Sequence, residues 1–179
     1  FVDWSASHDI GKSRMTLKEK TYLVNTLKKN YTVYICSEGS TPAQFKPHQL
    51  NVYPHLIHQV LKQASLYIGE GATMASEAAL LGTPAIYTNP IIAGTINEQE
   101  HAGLIYQTTD INKILDQADK ILNDPAAAQK FDNRRNKLLK TKIDVTAFLF
   151  WTTTNFPNSI DLLKKEPEYQ YKFQQWTSP

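Results

Sequence analysis

The stretch LYIGEGATMASEAALLGTPAIYTN, residues 66–89, decides the fold because it joins an apolar strand, a glycine turn and a helix. The pattern predicts a strand over 66–68, a turn over 69–72 and a helix over 73–81. Gly82 and Pro84 end that helix, and the apolar residues 85–88 begin the next strand. This order is typical of one step of a parallel α/β sheet.

The turn at 69–72 is a candidate anion site. The first N–H groups of a helix have no partner within the helix, and the helix dipole is positive at that end. Gly69 and Gly71 let the backbone approach a bound group closely, although the same glycines also suit a tight turn without a ligand. Glu70 would repel an anion, so we expect its side chain to be solvated at the surface, and a contact with a sugar is the alternative.

Strands and helices alternate on both sides of this stretch. Upstream, the predicted elements are a strand at 1–4, a helix at 16–29, a strand at 31–36, a loop at 37–49 and a helix at 54–64. Downstream, they are a loop at 89–103, a strand at 104–107 and helices at 110–122 and 124–140. The alternation predicts a three-layer αβα, Rossmann-like domain over 1–143, with a parallel sheet of about six strands.

Residues 144–179 are predicted to form a helical C-terminal tail. Asp144 is a candidate N-cap for its first helix, and Pro157 and Pro167 divide the remainder into short helical pieces. The tail is rich in aromatic residues, among them Phe148, Phe150, Trp151 and Phe156. We expect them to form a core or a surface that packs on another domain.

The composition excludes several classes of function. The 179 residues carry a formal net charge of +2 with scattered basic residues, which gives no electrostatic basis for nucleic-acid binding. Cys36 is the only cysteine, which excludes an internal disulfide and fits a reducing, cytoplasmic location. No apolar run approaches the roughly 20 residues of a transmembrane helix, and no signal peptide is recognisable. Phe1 already lies in a predicted strand, so we expect the chain to be part of a longer protein.

Several segments carry a resemblance to known proteins, namely 53–55, 64–69, 71–73 and 77–85, together with 2–9, 37–38 and 142–146. In this order they resemble the C-terminal half of two-domain, GT-B-type glycosyltransferases and of UDP-N-acetylglucosamine 2-epimerases. The chain is most similar to an uncharacterised family of glycosyltransferase-like proteins of archaea and bacteria. The resemblance implies one half of a GT-B fold that binds a nucleotide sugar, such as a UDP-sugar, as substrate and requires no cofactor. The partner would be a missing N-terminal domain of the same protein.

The resemblance also implies roles for residues near the turn. Gly69 belongs to the turn, and the backbone amides of Gly71, Ala72 and Thr73, with the Thr73 hydroxyl, would hold the diphosphate. Glu77 lies four residues after Thr73 on the same helix face and would accept hydrogen bonds from the ribose hydroxyls. Alternatively, Glu77 only complements the helix dipole.

Further positions follow from the same resemblance. The backbone at His55 and Leu56 would lie near the edge of the nucleobase. The loop that would contact the sugar comprises Asn97, Glu98, Gln99 and Glu100. The catalytic residues are not identified, and the candidates are His8, Glu98 and Glu100.

Three readings of the function remain open from the sequence. The first is the donor-binding half of a glycosyltransferase, the second is part of a 2-epimerase-like enzyme, and the third is a non-catalytic binding or interaction domain. Residues 87–89 stand where the epimerases carry an arginine, which disfavours the second reading. His55 and His58 lack a third ligand, so no metal site is expected. Ser76 lacks the histidine and acid of a hydrolase triad.

Overall fold

The computed structural model describes residues 2–3, 15–37, 40–91 and 94–174, with side chains from residue 15 onward. The chain divides into two compact units, Phe1–Arg135 and Asn136–Pro179. The expected loop at 5–12, which contains His8, lies outside the described residues.

A parallel sheet forms the centre of the N-terminal unit. The described residues contribute five strands, which are β1 (Val2–Asp3), β2 (Cys36–Ser37), β3 (Tyr67–Gly69), β4 (Ala85–Tyr87) and β5 (Ile105–Gln107). Their order is β2-β1-β3-β4-β5, and every adjacent pair is parallel. The prediction of a parallel sheet is confirmed, but the prediction of about six strands is wrong. Strands β3, β4 and β5 have three residues each, and β1 and β2 have two.

The helices of this unit largely follow the predicted positions. They are α1 (Leu17–Leu27), α2 (Ile57–Gln63), α3 (Ala72–Leu80), α4 (Gly94–His101), α5 (Ile111–Leu122) and α6 (Ala127–Leu139), which extends past the boundary of the unit. Two short 3₁₀ helices occur at Ala43–His48 and Pro54–Leu56. The first lies in the predicted loop 37–49, where Phe45 is buried. The second forms the first turn of the helix predicted from residue 54.

The prediction of a loop over residues 89–103 is wrong, because this segment contains helix α4. Pro90 precedes the helix and Gly94 is its first residue, but the residues from Thr95 to His101 include neither proline nor glycine. Ile96 and Gln99, three residues apart, are buried, and α4 contacts α3 and β5. The packing of one narrow face therefore stabilises a helix whose remaining residues are polar.

Strand order explains on which face of the sheet each helix lies. The connections β2–β3, β3–β4 and β4–β5 advance in one direction across the sheet, whereas β1–β2 runs in the other. Because crossovers between parallel strands are right-handed, α2, α3 and α4 lie on one face and α1 on the opposite face. The helix contacts agree, since α3 contacts both α2 and α4, and α1 contacts α5.

Small residues bring α3 close to the sheet. Ala75, Ala78 and Ala79 are fully buried and lie on one face of the helix. On the other side of the sheet, the core consists of a cluster with Met15, Leu23, Ile68, Ile86, Ile114 and Ala118. Helix α3 is thus held firmly against the strands that precede and follow it.

The C-terminal unit contains two helices and a 3₁₀ helix. Helix α7 (Val145–Thr154) begins after Asp144, whose side chain accepts a hydrogen bond from the Ala147 N–H at 2.9 Å, as the N-cap prediction requires. Helix α8 (Asn158–Lys165) and the 3₁₀ helix Pro167–Phe173 follow. The aromatic cluster within this unit comprises Phe148, Trp151, Tyr169 and Phe173.

Two other aromatic residues of the C-terminal unit, Phe150 and Phe156, are each 70% exposed. They do not belong to the aromatic cluster of their own unit. Across the described ranges, none of the helices combines the length and apolar character needed to cross a membrane.

Gly69, the last residue of β3, is required by the packing of its own strand. Tyr67 lies on the same face of the strand two residues earlier and is buried. A Cβ at position 69 would lie 2.7 Å from the Tyr67 Cζ atom, which is closer than van der Waals contact allows. An added methyl group would therefore have to displace a buried side chain.

We therefore expect Gly69→Ala to lower the free energy of unfolding by about 1–3 kcal/mol, as overpacking does elsewhere. Gly94→Ala is the matched control, because nothing lies within 4 Å of a Cβ there and the residue starts a helix. This control should be neutral or more stable by up to about 1 kcal/mol. Urea unfolding measures both, and equal stabilities of the two variants would contradict the packing role of Gly69.

Candidate functional site

The turn after β3 lies at the edge of the sheet where ligands bind in open α/β folds. Strand order reverses between β1 and β3, because the chain passes from β1 to β2 on one side and from β3 to β4 on the other. Crevices form at the carboxyl ends of the strands beside such a reversal. Residues 70–73 follow β3 directly and border that position.

The N-terminus of α3 presents backbone donors at this edge. Gly71 is the N-cap, with extended backbone angles (φ −86°, ψ 116°) and no side-chain capping bond. In contrast, Thr16, Asp110 and Asp144 cap α1, α5 and α7 with their side chains. Within the described part of the chain, the first N–H groups of α3, including that of Thr73, therefore have no capping side chain at the positive end of the dipole.

The accessibility of these positions fits a ligand at the surface of the turn. Gly71 and Ala72 are half-buried, whereas Thr73 is exposed. Gly69 is buried within β3, so its backbone contributes to the sheet. The residues predicted to bind a diphosphate at the turn thus lie close together. Gly69 is buried, whereas Gly71, Ala72 and Thr73 reach the surface.

The Glu70 side chain is buried, which contradicts the expected solvated position. It is 3% exposed, and its Oε2 atom lies 3.2 Å from Nζ of Lys20, which is 6% exposed. The second carboxylate oxygen accepts a hydrogen bond from the N–H of Met15 at 3.1 Å. The carboxylate therefore points under the turn towards α1, where a lysine compensates its charge.

This ion pair connects the turn to two other parts of the unit. Lys20 lies on α1, and Met15 precedes that helix. The backbone carbonyl of Glu70 accepts a hydrogen bond from Asn89 Nδ2 at 3.2 Å, just after β4. Gln107 at the end of β5 in turn donates through Nε2 to the Asn89 carbonyl at 2.8 Å. Polar side chains thus join the carboxyl ends of three strands.

The sequence contained a signal for the buried lysine. Lys20 lies three, four and seven residues before Leu23, Val24 and Leu27, so it belongs to the apolar stripe of α1. A charged residue on a buried stripe needs an opposite charge. The partner could not be identified from the sequence, because Glu70 is 50 residues away.

Glu77 lies one helical turn after Thr73 on α3 and contacts α2. Its Oε2 atom lies 3.2 Å from Nε2 of His58, and both side chains are partly exposed. The contact orients the carboxylate, which lies within reach of solvent. The structure therefore places Glu77 on a partly exposed face in the middle of α3, with His58 as a neighbour.

A stacked aromatic pair lies just before α2 in the chain. His55 is exposed in the 3₁₀ helix Pro54–Leu56, and its ring stacks on Tyr53 with the centroids 5.7 Å apart. Tyr53 is 73% exposed, and Leu56 is half-buried. The backbone of His55 and Leu56 remains a predicted contact for the nucleobase, and nothing in the sequence indicated the exposed aromatic surface of Tyr53.

The four residues predicted as a sugar-side loop lie on α4 and have different environments. Gln99 is buried and accepts a hydrogen bond from Ser76 Oγ at 2.6 Å, which joins α4 to α3. Glu100 accepts a hydrogen bond from the N–H of Gln107 at 3.2 Å. Asn97 and Glu98 are exposed. Among the described ranges, no group of three histidine, cysteine or acidic side chains could hold a metal ion.

Two solved structures have a fold similar to that of this chain. A crystal structure of the glycotransferase of kitacinnamycin matches with a TM-score of 0.51 and 14% identity over 76% of this chain and 38% of that chain. A Listeria monocytogenes protein provisionally described as a UDP-N-acetylglucosamine 2-epimerase matches with a TM-score of 0.52 and 11% identity, over 78% and 43% of the two chains. At these identities, the likeness shows the fold alone, which resembles half of a GT-B fold.

The sequence comparison identifies the family. Residues 53–150, more than half of the chain, match the family described as protein of unknown function (DUF354), so the chain belongs to this family. No curated protein matches the sequence. The chain spans about two fifths of the length of the two proteins with solved structures.

We expect Lys20→Met to lower the free energy of unfolding by about 3–5 kcal/mol, because it removes a positive charge 3.2 Å from the buried Glu70 carboxylate. Lys18→Met, at an exposed position of the same helix, should change it by less than about 0.5 kcal/mol. Chemical unfolding measures both.

The double variant Lys20→Met/Glu70→Gln isolates the pairing, because it removes both charges and keeps an oxygen that can accept from Met15. Its loss should be smaller than the sum of the two single losses, by about 0.5–3 kcal/mol. Strictly additive losses would show that the two charges do not stabilise each other.

Proposed function

We propose that the N-terminal unit binds the diphosphate of a nucleotide sugar at the N-terminus of α3 and serves as the donor-binding part of a glycosyltransferase. The observation that carries this proposal is the uncapped N-terminus of α3 at the carboxyl end of β3, beside the reversal of strand order. Backbone amides and the helix dipole stabilise an anion there without a metal ion.

The buried ion pair supports this use of the turn. The Lys20 ammonium group, 3.2 Å from Glu70 Oε2, offsets the only carboxylate within the turn itself. Because Glu70 is directed towards α1, the amides of Gly71, Ala72 and Thr73 can face a diphosphate without a carboxylate beside it. The contacts of Glu70 with Met15 and Asn89 fix the backbone before the donors, so little ordering is required on binding.

The remaining part of the nucleotide would extend from α3 towards α2. Glu77 accepts hydrogen bonds from the ribose hydroxyls in this arrangement, and His58 holds its carboxylate in place. The nucleobase then lies near the backbone of His55 and Leu56. In such an arrangement, the backbone N–H groups bind the charged diphosphate and the Glu77 carboxylate binds the ribose.

The catalytic step of the proposed transfer requires more than this site. The relatives with solved structures are more than twice as long as the matched part, so a second half would complete the active site. Product analysis of a longer protein with a UDP-sugar distinguishes the two enzyme readings. Release of UDP with transfer of the sugar supports the transferase, and a 2-epimer of the sugar supports the epimerase-like alternative.

Ala72→Pro removes one diphosphate donor with little change to the fold. Proline is favourable at the first helical position, and the preceding Gly71 already has the extended conformation that proline requires. One hydrogen bond to a charged group contributes roughly 1.5–3 kcal/mol, so we expect the Kd for UDP and GDP to rise about 10- to 100-fold. Calorimetric titration measures the change.

The matched control for this variant is Val145→Pro, at the exposed first position of α7. It should leave nucleotide affinity unchanged. Equal affinity of wild type and Ala72→Pro, with both proteins folded, would contradict diphosphate binding by the helix amides. No binding of any nucleoside diphosphate to the wild-type protein would favour the interaction-domain reading.

Glu77→Gln tests the ribose contact separately. The amide has one acceptor oxygen and no charge, so we expect the affinity for UDP to fall about tenfold while the affinity for inorganic pyrophosphate does not fall. Asp116→Asn, an exposed acid on α5, is the control and should change neither. Equal weakening of UDP and pyrophosphate binding by Glu77→Gln would disprove a role confined to the ribose.

A further inference from the structure

Two successive carbonyl groups, those of Gly69 and Glu70, have their partners on the same side of β3. The Gly69 carbonyl accepts from the N–H of Thr88 at 2.8 Å, as part of the ladder with β4. Because backbone groups alternate in direction along a strand, the Glu70 carbonyl of a continuing strand would point to the β1 side. It instead accepts from Nδ2 of Asn89, which follows β4, at 3.2 Å. The Glu70–Gly71 peptide is therefore turned away from the direction that the strand would give it.

The direction of the Glu70 carbonyl also sets the direction of the Gly71 N–H. The two groups belong to one planar trans peptide and point in opposite directions. Because the carbonyl points to the chain after β4, the Gly71 N–H points away from that chain, towards the side of β1. Strand order reverses between β1 and β3, so this N–H borders the crevice beside the reversal.

The side-chain amide of Asn89 is held in one orientation. It is buried, and its Oδ1 atom accepts from the N–H of Ile91 at 3.0 Å, which leaves Nδ2 to donate to Glu70. The Asn89 carbonyl accepts from Nε2 of Gln107 at 2.8 Å, and the same nitrogen donates to the Ile91 carbonyl at 3.1 Å. Both ends of the amide are thus in use, on a backbone that a side chain of β5 holds in place.

The chemistry of position 89 is specific to asparagine. The side chain must donate to the Glu70 carbonyl and accept from the Ile91 N–H, and the asparagine amide does both. An ionised aspartate accepts only, and leucine, which has a similar size, does neither. Position 89 therefore offers two substitutions that remove the donor and fill about the same space.

We propose that Asn89 is a positioning residue of the diphosphate site, which turns the Glu70–Gly71 peptide so that the Gly71 N–H faces the anion together with those of Ala72 and Thr73. This inference rests on the proposed binding of a diphosphate at the N-terminus of α3. Asn89 acts through the backbone and does not contact the anion. Without it, the Gly71 N–H turns away and two of the three successive donors remain.

The test follows the backbone amides by NMR during titration with inorganic pyrophosphate, in the wild type, Asn89→Leu and Asn89→Asp. In the wild type, we expect the amide signals of Gly71, Ala72 and Thr73 to shift together. In both variants, the Gly71 signal should lose its response while the other two keep theirs. The Kd of Asn89→Leu for pyrophosphate should rise about tenfold, because one hydrogen bond to a charged group is lost.

The matched control is Asn112→Asp, at an exposed position of α5, which should keep the wild-type response and affinity. A wild-type Gly71 response in Asn89→Leu would overturn the proposal. So would joint loss of all three responses in that variant, since Asn89 would then support the whole turn, or a defect confined to Asn89→Asp, since the new charge would explain it.

The wild-type titration alone also tests the proposal, whether or not the variants fold. Shifts at Ala72 and Thr73 without a shift at Gly71 would overturn the role of Asn89 and leave diphosphate binding at α3 intact. No shift at any of the three amides at saturating pyrophosphate would overturn both.

Discussion

The buried ion pair between Lys20 and Glu70 is the interaction on which the candidate site depends. Two charges removed from water are costly unless each finds a partner, and here they lie 3.2 Å apart between α1 and the β3–α3 turn. The same carboxylate fixes the chain before α1 through Met15. The ion pair and the hydrogen bond from Met15 therefore fix the turn on its buried side, and its backbone N–H donors remain at the surface.

The fold places these donors where a ligand can reach them. Right-handed crossovers assign α3 to one face of the sheet, and its buried alanines bring it close to β3 and β4. The N-terminus of α3 consequently opens beside the point where strand order reverses. The chain belongs to the DUF354 family and its fold resembles half of a GT-B fold, and the amides of α3 supply the physical basis for our proposal.

Sequence patterns predicted the elements that depend on local periodicity. The strands at β3, β4 and β5 and the amphipathic helix α5 lie where the apolar spacing indicated. Helix α4 was missed because its stability comes from Ile96 and Gln99 against distant elements, and the polar composition conceals that contact. The environment of Glu70 was missed for the same reason, since its partner lies 50 residues earlier. Non-local pairing, which local periodicity does not encode, accounts for both errors.

The most direct test of the central claim is to follow each backbone amide by NMR while UDP is added. Our account predicts that the largest chemical-shift changes occur at Gly71, Ala72, Thr73 and Met74, with smaller changes at Glu77. Inorganic pyrophosphate should affect the first four and not Glu77. Changes confined to other parts of the chain, or no change at saturating UDP, would contradict nucleotide binding at the N-terminus of α3.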